Sequence, residues 1–306
     1  MRITTTVLIA LGIVTAAWAE KAADPNSIKP VEKKVLEEPA SITSDPNDAM
    51  GKEAEIEINP MNAMCGAVLN AEYISDSGDV DYALLRRKRS DLYNVTKDFR
   101  SLKVEDYLTW DNDVQLAFWI NVHNLYTLEL IINNYPIEPS RFKLIFYPAQ
   151  SIMQISGARE SNYFGVMGRE YSLEEMEDNI LELYGDPRVL FALTYASIGS
   201  PPMRSEPYNG PMLEDQLDNQ VRRFLGRRSG FYIDRSKLYI SPIFEWNIDR
   251  FVEYYGIDTR YRAHDEETRA IFNFIEQFKG LSWSRILESD KFRLEYQKFD
   301  WRLNGK

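Results

Sequence analysis

The pattern of hydrophobic and polar positions changes near residue 60. From Glu20 to about Pro60 the chain has no aromatic residue, and Pro, Glu, Lys, Asp and Ala dominate. Such a segment cannot bury enough apolar surface to offset the entropy lost on ordering, so we predict a flexible acidic linker over residues 20–60. Aromatic residues are frequent from Tyr73 onward, which indicates one globular domain over residues 61–306.

Three segments within the domain have the spacing of helices. Residues 113–134 carry apolar side chains on nearly all sides, which is typical of a helix buried on most of its surface. Residues 268–278 place their apolar side chains on one face, as an amphipathic helix does. Ser172 followed by Glu175 forms a capping box, which predicts a helix that runs through Leu183.

Two further segments have the signature of β-hairpins. Residues 163–167 and those after Gly168 form the first, and residues 231–233 face residues 238–240 across a turn in the second. Helices mixed with antiparallel hairpins predict a single α+β domain.

The first nineteen residues carry an export pattern. Met1-Arg2 precedes a short uncharged apolar run, and Ala17-Trp18-Ala19 fits a signal-peptide cleavage site. The run is shorter than the about 20 residues that span a bilayer. We therefore predict a signal peptide over residues 1–19 and a periplasmic or secreted chain without a membrane span. The single cysteine, Cys65, excludes an intramolecular disulfide and favours a bacterial periplasm.

The charge balance and the histidines limit the possible partners. The 306 residues carry a net charge of −11, so the overall electrostatic field does not favour nucleic acid or anionic lipid. The two histidines, His123 and His264, share no metal-ligand spacing, and no paired-cysteine motif occurs. We expect no metal and no cofactor.

Three polar residues interrupt the buried helix: Asn121, His123 and Asn124. Buried polar groups need hydrogen-bond partners, because an unpaired one costs about 1–3 kcal/mol. One interpretation is that all three tie down neighbouring loops. The other is that His123 faces a cleft as an acid or base, with Asn121 and Asn124 as ligand-binding groups.

A second candidate site lies at residues 198–202, Ile-Gly-Ser-Pro-Pro. The two prolines make a rigid turn that fixes Ser200, which could present a nucleophile. The sequence lacks the Gly-x-Ser-x-Gly elbow of hydrolases, and only the fold could bring His123 or His264 near as a base. Arg204 suits bidentate recognition of a carboxylate, with a surface ion pair as the alternative.

These motifs resemble the family called domain of unknown function 547 (DUF547). The matching segments are residues 79–82, 117–124, 168–173, 176–178, 186–193, 196–204, 213–217 and 238–246. Members of this family typically carry a cysteine just before the Pro-Pro pair and a histidine after the Ile-Glu of the capping-box helix. That pairing implies a thiol site and a layout of the papain or transglutaminase kind. Here the cysteine position is Ser200 and the histidine position is Asp178.

These two departures from the family pattern guide the functional hypothesis. An aspartate with an ordinary pKa of about 3.9 cannot usefully deprotonate a serine hydroxyl. The leading hypothesis is therefore a non-catalytic domain that binds a peptide, protein or glycan. The alternatives are an active hydrolase that uses Ser200 with a histidine supplied by the fold, and a structural assembly partner.

Overall fold

The computed structural model describes residues 58–257, 259–288 and 292–306. The chain divides into two units, Met1–Ala54 and Glu55–Lys306, and the second contains all the described residues. The predicted signal peptide and all but the last three residues of the predicted linker lie outside the described residues.

Helices and short sheets alternate along this second unit. In chain order the helices are α1 (Pro60–Met64), α2 (Tyr82–Arg87), α3 (Arg89–Ser101), α4 (Val104–Tyr107), α5 (Asn112–Asn134), α6 (Leu173–Tyr184), α7 (Leu213–Leu225), α8 (Pro242–Trp246), α9 (Ile248–Tyr255), α10 (Glu266–Lys279) and α11 (Ser284–Leu287). The strands are β1 (Phe164–Val166), β2 (Arg169–Tyr171), β3 (Phe231–Asp234), β4 (Lys237–Ile240) and β5 (Arg293–Tyr296). This mixture confirms the predicted α+β class at the level of helices combined with small sheets.

Helix α5 is the centre of the first half of the unit. Every residue from 116 to 132 is buried, because α1, α2, α3 and α6 all contact it. The helix ends at Asn134, two residues before Pro136, which cannot continue an α-helix. The predicted helix over residues 113–134 and its burial on most sides are confirmed.

A second apolar core lies in the C-terminal half. Phe191, in a 3₁₀ turn, contacts the rings of Phe224 on α7, Phe244 on α8 and Phe274 on α10. The predicted amphipathic helix at residues 268–278 is α10, whose apolar face is buried in this core. Packing against both α7 and α9 explains that one-sided pattern.

Both predicted hairpins form. Strands β1 and β2 pair across Met167 and Gly168, whose φ angles of +50° and +74° suit a tight two-residue turn. Strands β3 and β4 pair in the register Phe231 to Ile240. Strand β5 then adds to β4 in parallel, a pairing that local sequence patterns did not predict.

The C-terminal segment, residues 299–306, makes backbone hydrogen bonds to two earlier parts of the chain. Ile198 and Gly199 donate backbone hydrogen bonds to Arg302 and Asp300, at 2.8 and 2.9 Å. Further along, Val80 donates to the carbonyl of Asn304 at 2.9 Å. The segment therefore lies directly against the Ser200 turn.

Candidate functional site

Ser200 is sealed inside the protein. Its side chain is only 1 % exposed, and its Oγ accepts a hydrogen bond from the backbone N–H of Tyr195 at 2.9 Å. Its own backbone N–H donates to the carbonyl of Ser197 at 3.0 Å. The hydroxyl oxygen of Ser200 thus stabilises the turn by accepting a backbone hydrogen bond.

The C-terminal segment closes the other side of this turn. A Cβ added to Gly199 would lie 2.8 Å from the backbone nitrogen of Asp300, which shows how closely the two chain segments approach. Ser197 and Leu303 form an antiparallel bridge next to this contact. A substrate could reach Ser200 from this side only if residues 299–304 moved away.

Asp178, at the family's histidine position, lies on the exposed face of α6. Partial burial and the charge of Glu177 raise its pKa, while Arg159 and Arg250 oppose the increase. Among the described residues no hydrogen bond joins Asp178 to Ser200. The structure therefore has an exposed carboxylate at Asp178 and a sealed hydroxyl at Ser200.

The neighbouring residue, Glu177, has the more unusual environment. It is buried, its Oε2 pairs with Arg159, and its Oε1 accepts a hydrogen bond from the phenol of Tyr195 at 2.7 Å. The Arg159 guanidinium also lies over the Tyr195 ring, 4.7 Å from its centroid. Burial alone would raise the pKa of Glu177, but the charge of Arg159 and the hydrogen bonds from Arg159 and Tyr195 lower it.

His123 is fully buried in α5. Its Nδ1 lies 3.4 Å from Oδ1 of Asn124, and its Nε2 has no hydrogen-bond partner among the described residues. Burial lowers the pKa of His123 to about 4, so the imidazole is neutral at pH 7. Within the described part of the chain neither His123 nor His264 hydrogen-bonds to Ser200, and the His264 ring packs against Phe272.

The two helix asparagines bind the protein's own backbone. Asn121 accepts from the N–H of Tyr208 at 2.9 Å and donates to its carbonyl at 2.8 Å. Asn124 donates to the carbonyl of Ala192 and accepts from the N–H of Thr194, both at 2.9 Å. Their amides connect α5 to the segments that flank Ser200.

Arg204 lies beyond the Pro-Pro turn, with its terminal nitrogens occupied by neighbours. One donates to Asn219 Oδ1 at 2.8 Å, and the other forms an ion pair with Glu206. The guanidinium carbon lies 5.8 Å from the centroid of the Tyr208 ring. The Arg204 side chain is 11 % exposed and that of Glu206 is 50 % exposed, so the pair lies at the edge of the buried region, and a carboxylate-binding role for Arg204 stays a prediction.

Aromatic side chains form a surface above the sealed turn. Trp246 is 48 % exposed, and its ring is within 18° of parallel to that of Trp301, with centroids 6.2 Å apart. Phe299 packs against both, and the Trp246 ring contacts Tyr195 from outside at 6.3 Å. We call Trp246, Phe299 and Trp301 the aromatic surface.

Sequence reasoning missed both the cluster of Arg159, Glu177 and Tyr195 and the aromatic surface. Glu177 is one of four acidic residues between 174 and 178, and its spacing alone does not distinguish it from its exposed neighbours. The available signal for the aromatic surface was the position of Trp246 at the end of a family motif. Trp301 and Phe299 lie more than fifty residues further along the chain.

Open depressions elsewhere on the surface have other linings. One of about 490 Å³ lies beside residues 265–268, and one of about 270 Å³ lies between α3 and α5. Neither is lined by Ser200 or Asp178. Over residues 58–257, 259–288 and 292–306, no group of three or more His, Cys, Asp or Glu side chains is arranged to hold a metal ion.

Comparison with known proteins matches part of this chain to one family model. Residues 107–225 match the family described as "Protein of unknown function, DUF547". The match includes both Asp178 and Ser200, and it confirms the family resemblance of the motifs over that part of the chain. No curated protein and no solved structure matches the chain. None of the described helices is long and apolar enough to cross a membrane.

Proposed function

We propose that this chain is an exported DUF547-type binding domain that holds a peptide, protein or glycan ligand without turning it over. The observation that carries the proposal is the sealed Ser200, whose hydroxyl accepts the N–H of Tyr195. Export rests on the signal-peptide pattern of residues 1–19. The papain- or transglutaminase-like layout rests on the family resemblance alone.

The contacts of Ser200 disfavour catalysis for a chemical reason. A serine nucleophile must give its proton to a base within hydrogen-bond reach. Asp178 does not hydrogen-bond to Ser200, and the neutral His123 has a pKa of about 4, which makes it a weak base. Among the described residues, the hydrolase alternative therefore has no base that is hydrogen-bonded to this hydroxyl.

The aromatic surface is where we place the ligand. The ring of Trp246 is the most exposed part of this surface, and flat aromatic faces bind apolar and sugar surfaces at little cost in conformational entropy. Asn121 and Asn124 act in this proposal as supports for the turn. A ligand carboxylate at Arg204 would replace Glu206 in the existing ion pair.

The catalytic question is tested with a serine-directed fluorophosphonate probe on the wild type and Ser200→Ala. We expect no specific labelling of either chain, because the hydroxyl is sealed and has no base. Labelling of the wild type that is lost in Ser200→Ala, together with hydrolysis of any substrate, would overturn the proposal in favour of the hydrolase.

The binding question is tested with a glycan array and a phage-displayed peptide library. Ligands selected by the wild type should bind Ser200→Ala nearly unchanged and Trp246→Ala at least tenfold more weakly. Tyr163→Ala is the matched control, since Tyr163 is an exposed aromatic residue beside the β1–β2 hairpin. Equal binding by Trp246→Ala would remove the aromatic surface from the proposal.

The assembly alternative requires an exposed apolar patch larger than the few hundred Å² that are usual for a monomer. Large exposed apolar side chains concentrate around the 3₁₀ turn Lys143–Ile145. What this turn contacts is a separate question from the ligand of the aromatic surface.

A further inference from the structure

Four large apolar side chains extend into solvent within five residues. Phe142, Leu144, Ile145 and Phe146 are 73, 45, 71 and 68 % exposed. The rings of Phe142 and Phe146 touch each other, with centroids 6.1 Å apart. We call residues 141–147 the apolar turn.

The protein holds this turn in place from beneath. Lys143 points inward and its Nζ donates to the carbonyls of Met153 and Ile155, at 2.9 and 3.0 Å. Gln154 accepts from the N–H of Ser140 at 3.0 Å and donates to the carbonyl of Tyr147 at 3.1 Å. Because two polar side chains anchor the turn, the exposure of its apolar side chains is a fixed feature of the fold.

The local charge differs from that of the chain as a whole. The protein has 47 acidic residues, yet residues 139–159 contain none. Arg159 in this stretch is paired with Glu177, and Lys143 donates to backbone carbonyls, so the cation that this surface presents to solvent is Arg141, which is exposed next to Phe142. This part of the surface can therefore approach an anionic surface despite the net charge of −11.

We propose that the apolar turn inserts into the boundary between headgroups and acyl chains of a lipid bilayer, with Arg141 beside the lipid phosphates. Aromatic and aliphatic side chains next to a cation are typical of segments that lie in a membrane interface. This inference concerns a surface separate from Ser200 and from the aromatic surface, and it goes beyond the proposed ligand binding.

The size of the turn favours lipid over a second copy of the chain. Four side chains of this kind present on the order of 500 Å², whereas a stable protein interface buries about 800 Å² on each partner. A small convex tip is enough for reversible membrane attachment, since each buried apolar group adds to the affinity.

Vesicle co-sedimentation of the chain without its predicted signal peptide, residues 20–306, tests this proposal. We expect the wild type to sediment with vesicles of phosphatidylcholine mixed with phosphatidylglycerol, and the double variant Ile145→Ser, Phe146→Ser to bind at least tenfold more weakly. Arg141→Glu should weaken binding to the mixed vesicles more than to phosphatidylcholine alone. Leu281→Ser is the control, because Leu281 is 75 % exposed at a distant position in the sequence and should leave binding unchanged.

A spectroscopic measurement locates the inserted residue. Ile145→Cys can be labelled selectively with an environment-sensitive dye, since the native thiol of Cys65 is buried. Its emission should shift to the blue on addition of the mixed vesicles. The proposal is overturned if the dye does not respond, or if the wild type dimerises in ultracentrifugation and the double variant does not, since the turn would then contact a second copy.

Discussion

The phenol of Tyr195 donates a hydrogen bond to Glu177 across 2.7 Å, and this contact joins helix α6 to the segment that leads into the Ser200 turn. Glu177 directly precedes Asp178, at the family's histidine position, and Tyr195 supplies the backbone N–H that binds Ser200. Next to Ser200 and Asp178, the positions for which the family resemblance implies a thiol and an imidazole, this chain has a buried cluster of Arg159, Glu177 and Tyr195. The polar side chains of this cluster, next to the Ser200 turn, form hydrogen bonds and an ion pair with one another.

Glu177→Gln should destabilise the protein strongly, because it leaves the Arg159 guanidinium buried without its counter-charge. Removing one partner of a buried ion pair costs about 3–5 kcal/mol, and we expect a loss near 3 kcal/mol in urea unfolding at pH 7. Glu182→Gln is the control on the same helix, since Glu182 is exposed, and it should change stability by less than about 0.5 kcal/mol.

The same cluster predicts a pH dependence at low pH. Because the folded-state pKa of Glu177 is lowered, the unfolded chain binds more protons there, and stability falls as the pH falls below the ordinary glutamate value. The free energy difference between wild type and Glu177→Gln should therefore shrink in acid. A difference that stays constant from pH 7 down to the end of the acid transition would contradict the ion pair.

His123 should make the fold sensitive to pH in a higher range. Its pKa falls from 6.5 to about 4 on folding, so the unfolded state binds more protons between these two values. The contribution of His123 to the unfolding free energy is fully present above pH 6.5. It decreases as the pH drops toward 4, by about 3 kcal/mol in total. Unfolding free energies of His123→Leu should lack this slope, while those of His264→Leu should keep it.

Gly199→Ala tests the contact between the Ser200 turn and the C-terminal segment. The new Cβ would lie 2.8 Å from the backbone nitrogen of Asp300, so one of the two segments must shift, at a cost of about 1–3 kcal/mol. Hydrogen exchange at the amides of Ile198 and Gly199 should speed up. Gly66→Ala is the control, because its Cβ would have ordinary contacts of 3.9 Å or more; equal effects of the two variants would argue against close packing at Gly199.

Much of the local structure could be predicted because its causes are local. The apolar run of α5, the capping box Ser172–Glu175 and the two hairpin turns each depend on residues within a few positions of one another. The capping box forms as expected, with both of its hydrogen bonds present.

The features that decide the site depend on long-range contacts. Strand β5 pairs with β4, although more than fifty residues separate the two strands in the sequence. Asp300 contacts Gly199, although about a hundred residues lie between them in the sequence. The spacing of hydrophobic residues along the chain reports local structure and predicts neither of these two contacts. The family resemblance implies that Ser200 and Asp178 stand at a cysteine and a histidine position, but the sealing of the turn becomes visible only when the C-terminal segment is in place.

Glu129 should oppose stability at neutral pH. This α5 residue is buried, its Oε2 has no hydrogen-bond partner among the described residues, and its nearest cation, Arg100, is 3.7 Å from Oε1. Burial raises its pKa, although Thr96 and Arg100 partly oppose the increase. Because the folded state then binds more protons than the unfolded state, this residue's contribution to stability decreases as the pH rises above the ordinary glutamate pKa.

Glu129→Gln removes that charge and should raise the unfolding free energy at pH 8 by about 1 kcal/mol, the scale of one unsatisfied buried polar group. At pH 4, where the carboxyl is protonated in the folded state, the gain should nearly disappear. Glu138→Gln serves as the exposed control and should show no gain at either pH. A variant that is less stable than the wild type at pH 8 would mean that the pair with Arg100 outweighs the cost of burying the carboxylate.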